Sequence, residues 1–119
     1  MAEMRFGAVE GRFAEIVWDH APLTTRELVD LCAKELNWKR TTTYTVLKKM
    51  CNRGILDMTN SLVTVLIDRD EFHARQSEEF VEENFHGSLP AFIAAFTQKK
   101  ELSQKDLEEI RKMMDSLEG

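Results

Sequence analysis

A strand-like stretch at residues 55–67, ILDMTNSLVTVLI, constrains the fold more than any other part of this sequence. Its β-branched residues and the Asn60-Ser61 pair near its centre predict two short strands joined by a tight turn. The residues before it carry apolar side chains at spacings of three and four, as amphipathic helices do. The chain must therefore combine several helices with one small hairpin, which makes it mostly α.

Three helices are predicted ahead of the hairpin. Residues 8–20 carry an apolar stripe that begins at Val9. The second helix starts at a capping box formed by Thr24 and Glu27, and the third spans about 39–53. This order is typical of a winged helix-turn-helix domain. A plain three-helix bundle with an extended linker is the weaker alternative, because the second strand is so rich in β-branched residues.

The third helix is unusual in its four threonines, which are poor helix formers. Thr43, Leu47 and Met50 share one side and are predicted to pack inward. Threonine and basic side chains make good contacts with phosphates and base edges, although a solvated surface helix would look similar. The residues predicted to meet DNA are Lys39, Arg40, Thr41, Thr42, Tyr44, Thr45, Lys48 and Lys49.

The charge distribution favours a nucleic-acid partner in spite of the net charge of −5. Residues 21–56 hold seven basic and three acidic side chains, whereas residues 70–119 hold six basic and twelve acidic ones. A phosphate backbone responds to the local field rather than to the total charge. A basic segment inside an acidic protein is thus compatible with binding to double-stranded DNA.

The residues after Asp68 predict three further helices whose apolar stripes have no obvious partner in a domain of that size. Such stripes usually pack against a second copy of the chain, so we expect a winged-helix DNA-binding domain at 1–68 and a helical dimerisation region at 69–119. The alternative is a monomer whose tail folds back on the domain. The predicted dimerisation residues are Phe72, Phe80, Phe85, Leu89, Phe92, Ile93, Phe96, Leu107, Ile110, Met113, Met114 and Leu117.

Other classes of protein find little support in the sequence. It contains no Gly-rich phosphate loop, G-x-S-x-G or H-E-x-x-H motif, so an enzyme is not expected. Cys32 and Cys51 form no C-x-x-C pair and the three histidines show no ligand spacing, so we expect no metal and no cofactor. No small-molecule ligand is evident. No membrane span or signal peptide is predicted, which favours a cytoplasmic location.

The chain resembles the penicillinase/methicillin-resistance repressor family of bacterial winged-helix regulators. The resemblance covers nearly the whole chain, including the tail from Gly87 onwards, and depends on the order and spacing of several short motifs. These comprise Trp18, Thr24 with Glu27-Leu28, Trp38 with Thr42 and Thr45, Leu47, Lys49-Met50, Arg53-Gly54 and Leu56.

The resemblance implies a homodimeric transcriptional repressor that binds an inverted-repeat operator, with the helix at about 39–53 in the major groove. By position, Thr42 and Thr45 would meet base edges or phosphates and the basic residues would meet phosphates. Tyr44 would contact a thymine methyl group or a sugar. The alternative is a dimeric winged-helix interaction module that has lost sequence-specific DNA binding.

Two departures from the family pattern concern the wing and the tail. The hairpin is about four residues shorter than the family's wing and carries no Lys or Arg. Members that work with a membrane β-lactam sensor are inactivated by proteolysis at an Asn-Phe bond just before the last helix. The matching bond here is Ala95-Phe96, which has alanine in place of the asparagine. By position, the resemblance implies a sensor-linked protease that would cut this bond. An Asn-Phe pair does occur at Asn84-Phe85, about one helix earlier.

Overall fold

A computed structural model describes residues 6–119; residues 1–5, with which the predicted first domain begins, lie outside the described residues. Within residues 6–119 the chain forms six helices and a three-stranded antiparallel sheet. The elements are α1 Ala8–His20, β1 Leu23–Thr24, α2 Thr25–Leu36, α3 Arg40–Asn52, β2 Leu56–Thr59, β3 Leu62–Val65, α4 Arg69–Phe85, α5 Leu89–Lys99 and α6 Gln104–Glu118.

The start of α2 is the capping box that the sequence predicts. The Glu27 backbone N–H donates to Thr24 Oγ1 at 3.1 Å, and the Thr24 N–H donates to Glu27 Oε1 at 2.9 Å. These bonds satisfy two backbone donors that the first turn would leave without partners. They also lower the pKa of Glu27, the bond from the Thr24 backbone contributing most. The helix ends at Asn37, which adopts a left-handed conformation with φ of 57°, as asparagine tolerates.

The end of α3 is a complete Schellman motif. Gly54 has a φ of +77°, and its N–H donates to Cys51 O at 3.0 Å while the Ile55 N–H donates to Met50 O at 3.1 Å. Glycine is suited to this position because it has no Cβ to clash in the left-handed region. The predicted stop at Gly54 is therefore confirmed, and it turns the chain from the third helix into the hairpin.

The sheet has the order β1-β3-β2 and contains one strand that the sequence does not predict. The turn at Asn60-Ser61 joins β2 to β3 as expected, and both residues have positive φ values, as in a type I′ turn. The additional strand is β1, in which Leu23 pairs with Val63. A strand of two residues is too short to show the alternation of apolar and polar residues by which strands are predicted. It forms because it pairs with β3, which is distant in sequence.

A single apolar core joins α1, α2 and α3 to the sheet, which confirms the winged helix-turn-helix fold. Val9, with which the apolar stripe of α1 was predicted to begin, is 53% exposed, and the buried part of that stripe begins at Phe13. Phe72, predicted to be an exposed residue of the dimerisation stripe, is instead buried in this core. It is 1% exposed and its ring stacks on Phe6 at 4.2 Å between centroids. The fully buried larger side chains are Phe13, Phe72, Leu28, Leu47, Met50, Ile55, Leu56, Val17, Val63, Thr43 and Cys32.

The chain divides into two compact units, the first ending at Glu79 and the second comprising Phe80–Gly119. The first unit contains the winged helix and the first part of α4. Arg69, in the first turn of α4, forms ion pairs with Glu15 at 2.5 Å and with Asp19 at 2.6 Å, and its guanidinium lies over the Trp18 ring. These contacts hold the first part of α4 against α1.

Candidate nucleic-acid interface

The outward face of α3, defined here as Thr41, Thr45, Lys48 and Asn52, is exposed along its whole length. These residues follow one another at spacings of four, three and four, which places them on one side of a helix. The opposite side is buried, with Leu47 only 2% exposed. The core anchors α3 through one side and leaves a face of hydroxyl, amide and ammonium groups for a partner.

The threonine hydroxyls of α3 bond to the backbone of their own helix. Thr45 Oγ1 donates to Thr41 O at 2.9 Å, and Thr43 Oγ1 donates to Lys39 O at 3.4 Å. The second bond satisfies a buried hydroxyl, which explains how α3 accommodates a polar residue in the core. The Thr45 hydroxyl keeps its lone pairs, so it can still accept a hydrogen bond from a base edge.

The N-terminal end of α3 carries positive charge without an acidic residue in its first turn. Lys39 is the N-cap residue and its side chain makes no capping bond, so the positive end of the helix dipole is left for an anion. The Arg40 guanidinium lies 5.6 Å from the centroid of the Tyr44 ring. A hydrogen bond with Thr25 and the nearby Arg40 lower the pKa of Tyr44. Tyr44 therefore connects α3 to the first residue of α2 and contacts Arg40 through its ring.

The flank of α3 that faces α1 has a different environment. Lys49 Nζ lies 2.7 Å from Glu10 Oε2, in the first turn of α1. This ion pair is the largest cause that lowers the pKa of Glu10. One turn further along, the Arg53 guanidinium lies 5.1 Å from the centroid of the Phe6 ring. Lys49 thus already has an anionic partner within the protein.

The eight residues predicted to meet DNA all lie on α3 or at its N-cap, but they do not form one surface. Thr41, Thr45 and Lys48 belong to the outward face, and Arg40 with Tyr44 lies on the flank beside α2. Lys49 lies on the flank beside α1, and Thr42, seven positions earlier, shares that side of the helix. Lys39 precedes the helix. Their contacts with DNA stay a prediction.

Asn52 is a further candidate, beyond the eight residues predicted from the sequence. It is exposed and extends the outward face by one turn beyond Lys48. The signal was present in the spacing, since residue 52 is four positions beyond residue 48. An asparagine amide can form two hydrogen bonds with an adenine edge, so Asn52 belongs with the candidate contacts.

The wing offers little positive charge. The hairpin Leu56–Thr59 and Leu62–Val65 contains no Lys or Arg, and its exposed apolar side chains include Met58 at 45% and Leu62 at 41%. The Thr59 hydroxyl donates to the Asp57 carboxylate at 2.9 Å. A wing that has no basic residue and carries the Asp57 carboxylate is poorly suited to contact phosphates.

The second unit lacks a buried core among its described residues. No residue of α5 or α6 is buried, and an apolar groove of about 440 Å³ is lined by residues of both helices. Phe92 contacts Phe80, Phe85 and Phe96, with ring centroids 5.6–6.2 Å apart. Exposed apolar residues here are Phe80 49%, Leu89 50%, Ile93 41%, Phe96 46%, Met113 59%, Met114 50% and Leu117 81%.

Phe72, predicted to belong to the dimerisation stripe, is a core residue of the first unit. Its 1% exposure leaves no surface for a second chain. The apolar spacing along α4 is continuous, so sequence alone cannot show that its first turns pack on α1 while later turns do not. The other predicted dimerisation residues stay a prediction.

The two candidate cleavage bonds have different backbone environments. Ala95-Phe96 lies inside α5, with helix on both sides. Asn84-Phe85 lies at the end of α4 and is followed by His86 and Gly87, which both have positive φ values.

The described residues contain no group of three or more His, Cys, Asp or Glu side chains that could hold a metal ion. In the same range, no helix is both long and apolar enough to cross a membrane.

Burial raises the pKa of both cysteine thiols, Cys32 and Cys51.

Comparison with known proteins identifies similar chains. Residues 6–116 match the family model described as "Penicillinase repressor". The penicillinase repressor of Bacillus licheniformis is 21% identical over 105 residues, which covers 85% of this chain and 82% of the relative. The methicillin resistance regulatory protein MecI of Staphylococcus aureus (strain Mu50 / ATCC 700699) is 20% identical over 112 residues, which covers 91% of both chains.

A solved structure supports the fold. The solution structure of the monomeric form of Bacillus licheniformis BlaI in complex with the blaP half-operator matches with a TM-score of 0.52 and 21% identity. The match covers 60% of this chain and 93% of the other chain.

Proposed function

Because the chain belongs to the penicillinase repressor family, we propose that it is a DNA-binding transcriptional repressor. Its relatives are named as a penicillinase repressor and a methicillin resistance regulatory protein, and the similar structure is a complex with a half-operator. The observation that carries the proposal is the exposed outward face of α3, held by a buried opposite side. We assign no enzymatic activity to the chain.

In this proposal α3 enters the major groove and its outward face meets the base edges. Thr41, Thr45 and Asn52 accept or donate hydrogen bonds there. Lys48 contacts a phosphate. Lys39 and Arg40 contact phosphates near the positive end of the helix.

We propose that the repressor acts as a homodimer through the region at 69–119, with the domain at 1–68 bound to DNA. The support is the second unit itself, in which α5 and α6 have no buried residue. Apolar stripes of this kind gain free energy when a second copy covers them. A two-fold dimer presents two copies of α3, so the operator would be an inverted repeat with half-sites about one helical turn apart.

We propose that proteolysis of the tail, with loss of the dimer, is the route of induction. A sensor-linked protease that cut Ala95-Phe96 would separate α6 from the rest of the chain. Because that bond lies within α5, the helix must unwind locally before it can enter a protease. Asn84-Phe85 lies next to a helix end and would require less unwinding.

A dimeric interaction module without sequence-specific DNA binding is the alternative that a structural observation favours. That observation is the wing, which has no Lys or Arg. The module would use the same outward face of α3 to contact another protein.

Selection of bound fragments from a random duplex library, followed by sequencing, distinguishes these functions. The full-length protein is used at moderate salt, and its association state is measured alongside. Recovery of an inverted repeat with half-sites about one helical turn apart supports the dimeric repressor. A folded dimer that enriches no motif supports the interaction module.

A further inference from the structure

Glu10 holds two groups that lie on different elements of the first unit. Its Oε1 accepts a hydrogen bond from the Gly7 backbone N–H at 3.1 Å, which fixes the side chain against the start of α1. Its Oε2 lies 2.7 Å from Lys49 Nζ on α3. The Glu10 side chain is 22% exposed and that of Lys49 is 59% exposed. The carboxylate is therefore held from two sides, and the Lys49 side chain is the more exposed member of the pair.

Lys49 is distinguished from the other basic residues predicted to meet DNA. Within residues 6–119, Lys39, Arg40 and Lys48 form no ion pair, and Arg40 contacts the Tyr44 ring instead. Lys49 is thus the one cation of this set that has an acidic partner on another described element. It directly follows Lys48, a residue of the outward face, in the sequence.

A phosphate that approaches Lys49 meets the Glu10 carboxylate as a competitor. Either Lys49 leaves Glu10 to bind the phosphate, or two anions share one ammonium group. The first case loses an ion pair and the second brings like charges together, so both make the free energy of DNA binding less favourable. Both also reduce the net release of cations on binding, because the freed Glu10 carboxylate attracts a cation in the first case and Lys49 neutralises less phosphate charge in the second.

We propose that Glu10 limits the affinity of the protein for DNA by competing with phosphate for Lys49. The inference depends on the proposed DNA-binding function, and it adds a residue of α1 that sets the strength of the contact made by α3. Glu10 acts through Lys49 and does not touch the DNA.

The variant Glu10→Gln tests this competition while it preserves the local structure. Glutamine keeps a carbonyl oxygen that accepts the Gly7 N–H, so the start of α1 is maintained, but it carries no charge. Binding of the full-length protein to a labelled mixed-sequence duplex is titrated at several salt concentrations, since phosphate contacts do not require the operator. We expect Glu10→Gln to bind about two- to five-fold more tightly, the range of an exposed ion pair. The slope of log affinity against log salt should become steeper by up to about 0.9.

Three control variants separate competition from a general effect of charge. Lys49→Met removes the ammonium group, so Glu10→Gln should have no effect on affinity in that background. Asp30→Asn changes the net charge of an exposed position on α2 by the same amount, and it should alter affinity much less than Glu10→Gln does. Lys48→Met should weaken binding by the same factor whether or not the chain also carries Glu10→Gln.

The outcomes are separable. If the wild-type protein binds no duplex at low salt, the proposed function fails and this inference fails with it. If the wild type binds but Glu10→Gln has the same affinity and salt slope, the inference alone is wrong. An increase that persists in the Lys49→Met background would also overturn it, because the carboxylate would then act on the DNA without Lys49. Thermal unfolding of each variant shows whether the fold is retained.

Discussion

Replacing Phe72 with leucine tests whether this residue belongs to the core of the first unit or to a dimer interface. The Phe72 ring stacks on Phe6 at 4.2 Å and contacts Trp18 at 5.6 Å between centroids. Leucine retains most of the buried apolar volume but loses both ring contacts, each worth about 0.5–1.5 kcal/mol. We therefore expect Phe72→Leu to lower the free energy of unfolding of the first unit by about 2 kcal/mol.

Tryptophan fluorescence during urea unfolding is a suitable assay, because both tryptophans, Trp18 and Trp38, lie in the first unit. Phe80→Leu is the matched control, since it makes the same substitution on the same helix at a side chain that is 49% exposed. The control should change the unfolding midpoint of the tryptophan signal little but weaken self-association in sedimentation experiments. Each variant is measured at several protein concentrations, because dimerisation contributes to apparent stability.

The opposite pattern would refute the assignment of Phe72 to the core. If Phe72→Leu left the unfolding free energy unchanged and raised the dimer dissociation constant, the residue would lie in the interface. The packing of the first part of α4 against α1 would then be wrong.

Three further changes have expected outcomes. Arg69→Met removes two ion pairs with α1 and a contact with an indole ring, so it should lower the unfolding midpoint more than Arg75→Met, which removes one pair within α4; the difference should shrink in high salt. Glu27 has a pKa below its ordinary value of 4.5, so its stabilisation is present above that pH and is lost as the pH falls through the lower folded-state pKa. Glu27→Gln should therefore make unfolding less sensitive to acid below about pH 5 in pH-dependent denaturation. Thr45→Ala should reduce the difference in affinity between selected and mixed-sequence duplexes by about 0.5–1.5 kcal/mol, the range of a single hydrogen bond, and an unchanged difference in competition binding would remove Thr45 from the readout.

The helices were predictable because their signals are local. The capping box at Thr24, the stop at Gly54 and the apolar spacing within each helix depend on residues a few positions apart. The turn at Asn60-Ser61 is likewise a property of two adjacent residues. The exposed side of α3 follows from the same spacing, because the residues between the apolar positions are left on the side away from the core.

Features that depend on distant pairs were not predictable in this way. Strand β1 exists because Leu23 pairs with Val63, forty residues further along the chain. Phe72 is buried because the start of α4 meets α1, and no periodicity distinguishes its first turns from its last. Lys49 is paired because α1 brings Glu10 to within 2.7 Å of it.

The pattern of residues was thus enough to specify the number and order of the helices, the start of α2, the end of α3, the hairpin and the face of α3 that avoids the core. Helix and turn formation depend on backbone hydrogen bonds and side chains within one or two turns, so neighbouring residues carry that information. Which side chains are left to meet a partner depended on packing between elements. The burial of Phe72 and the ion pair between Lys49 and Glu10 follow from contacts across long sequence separations. Such contacts exist only once the helices have assembled.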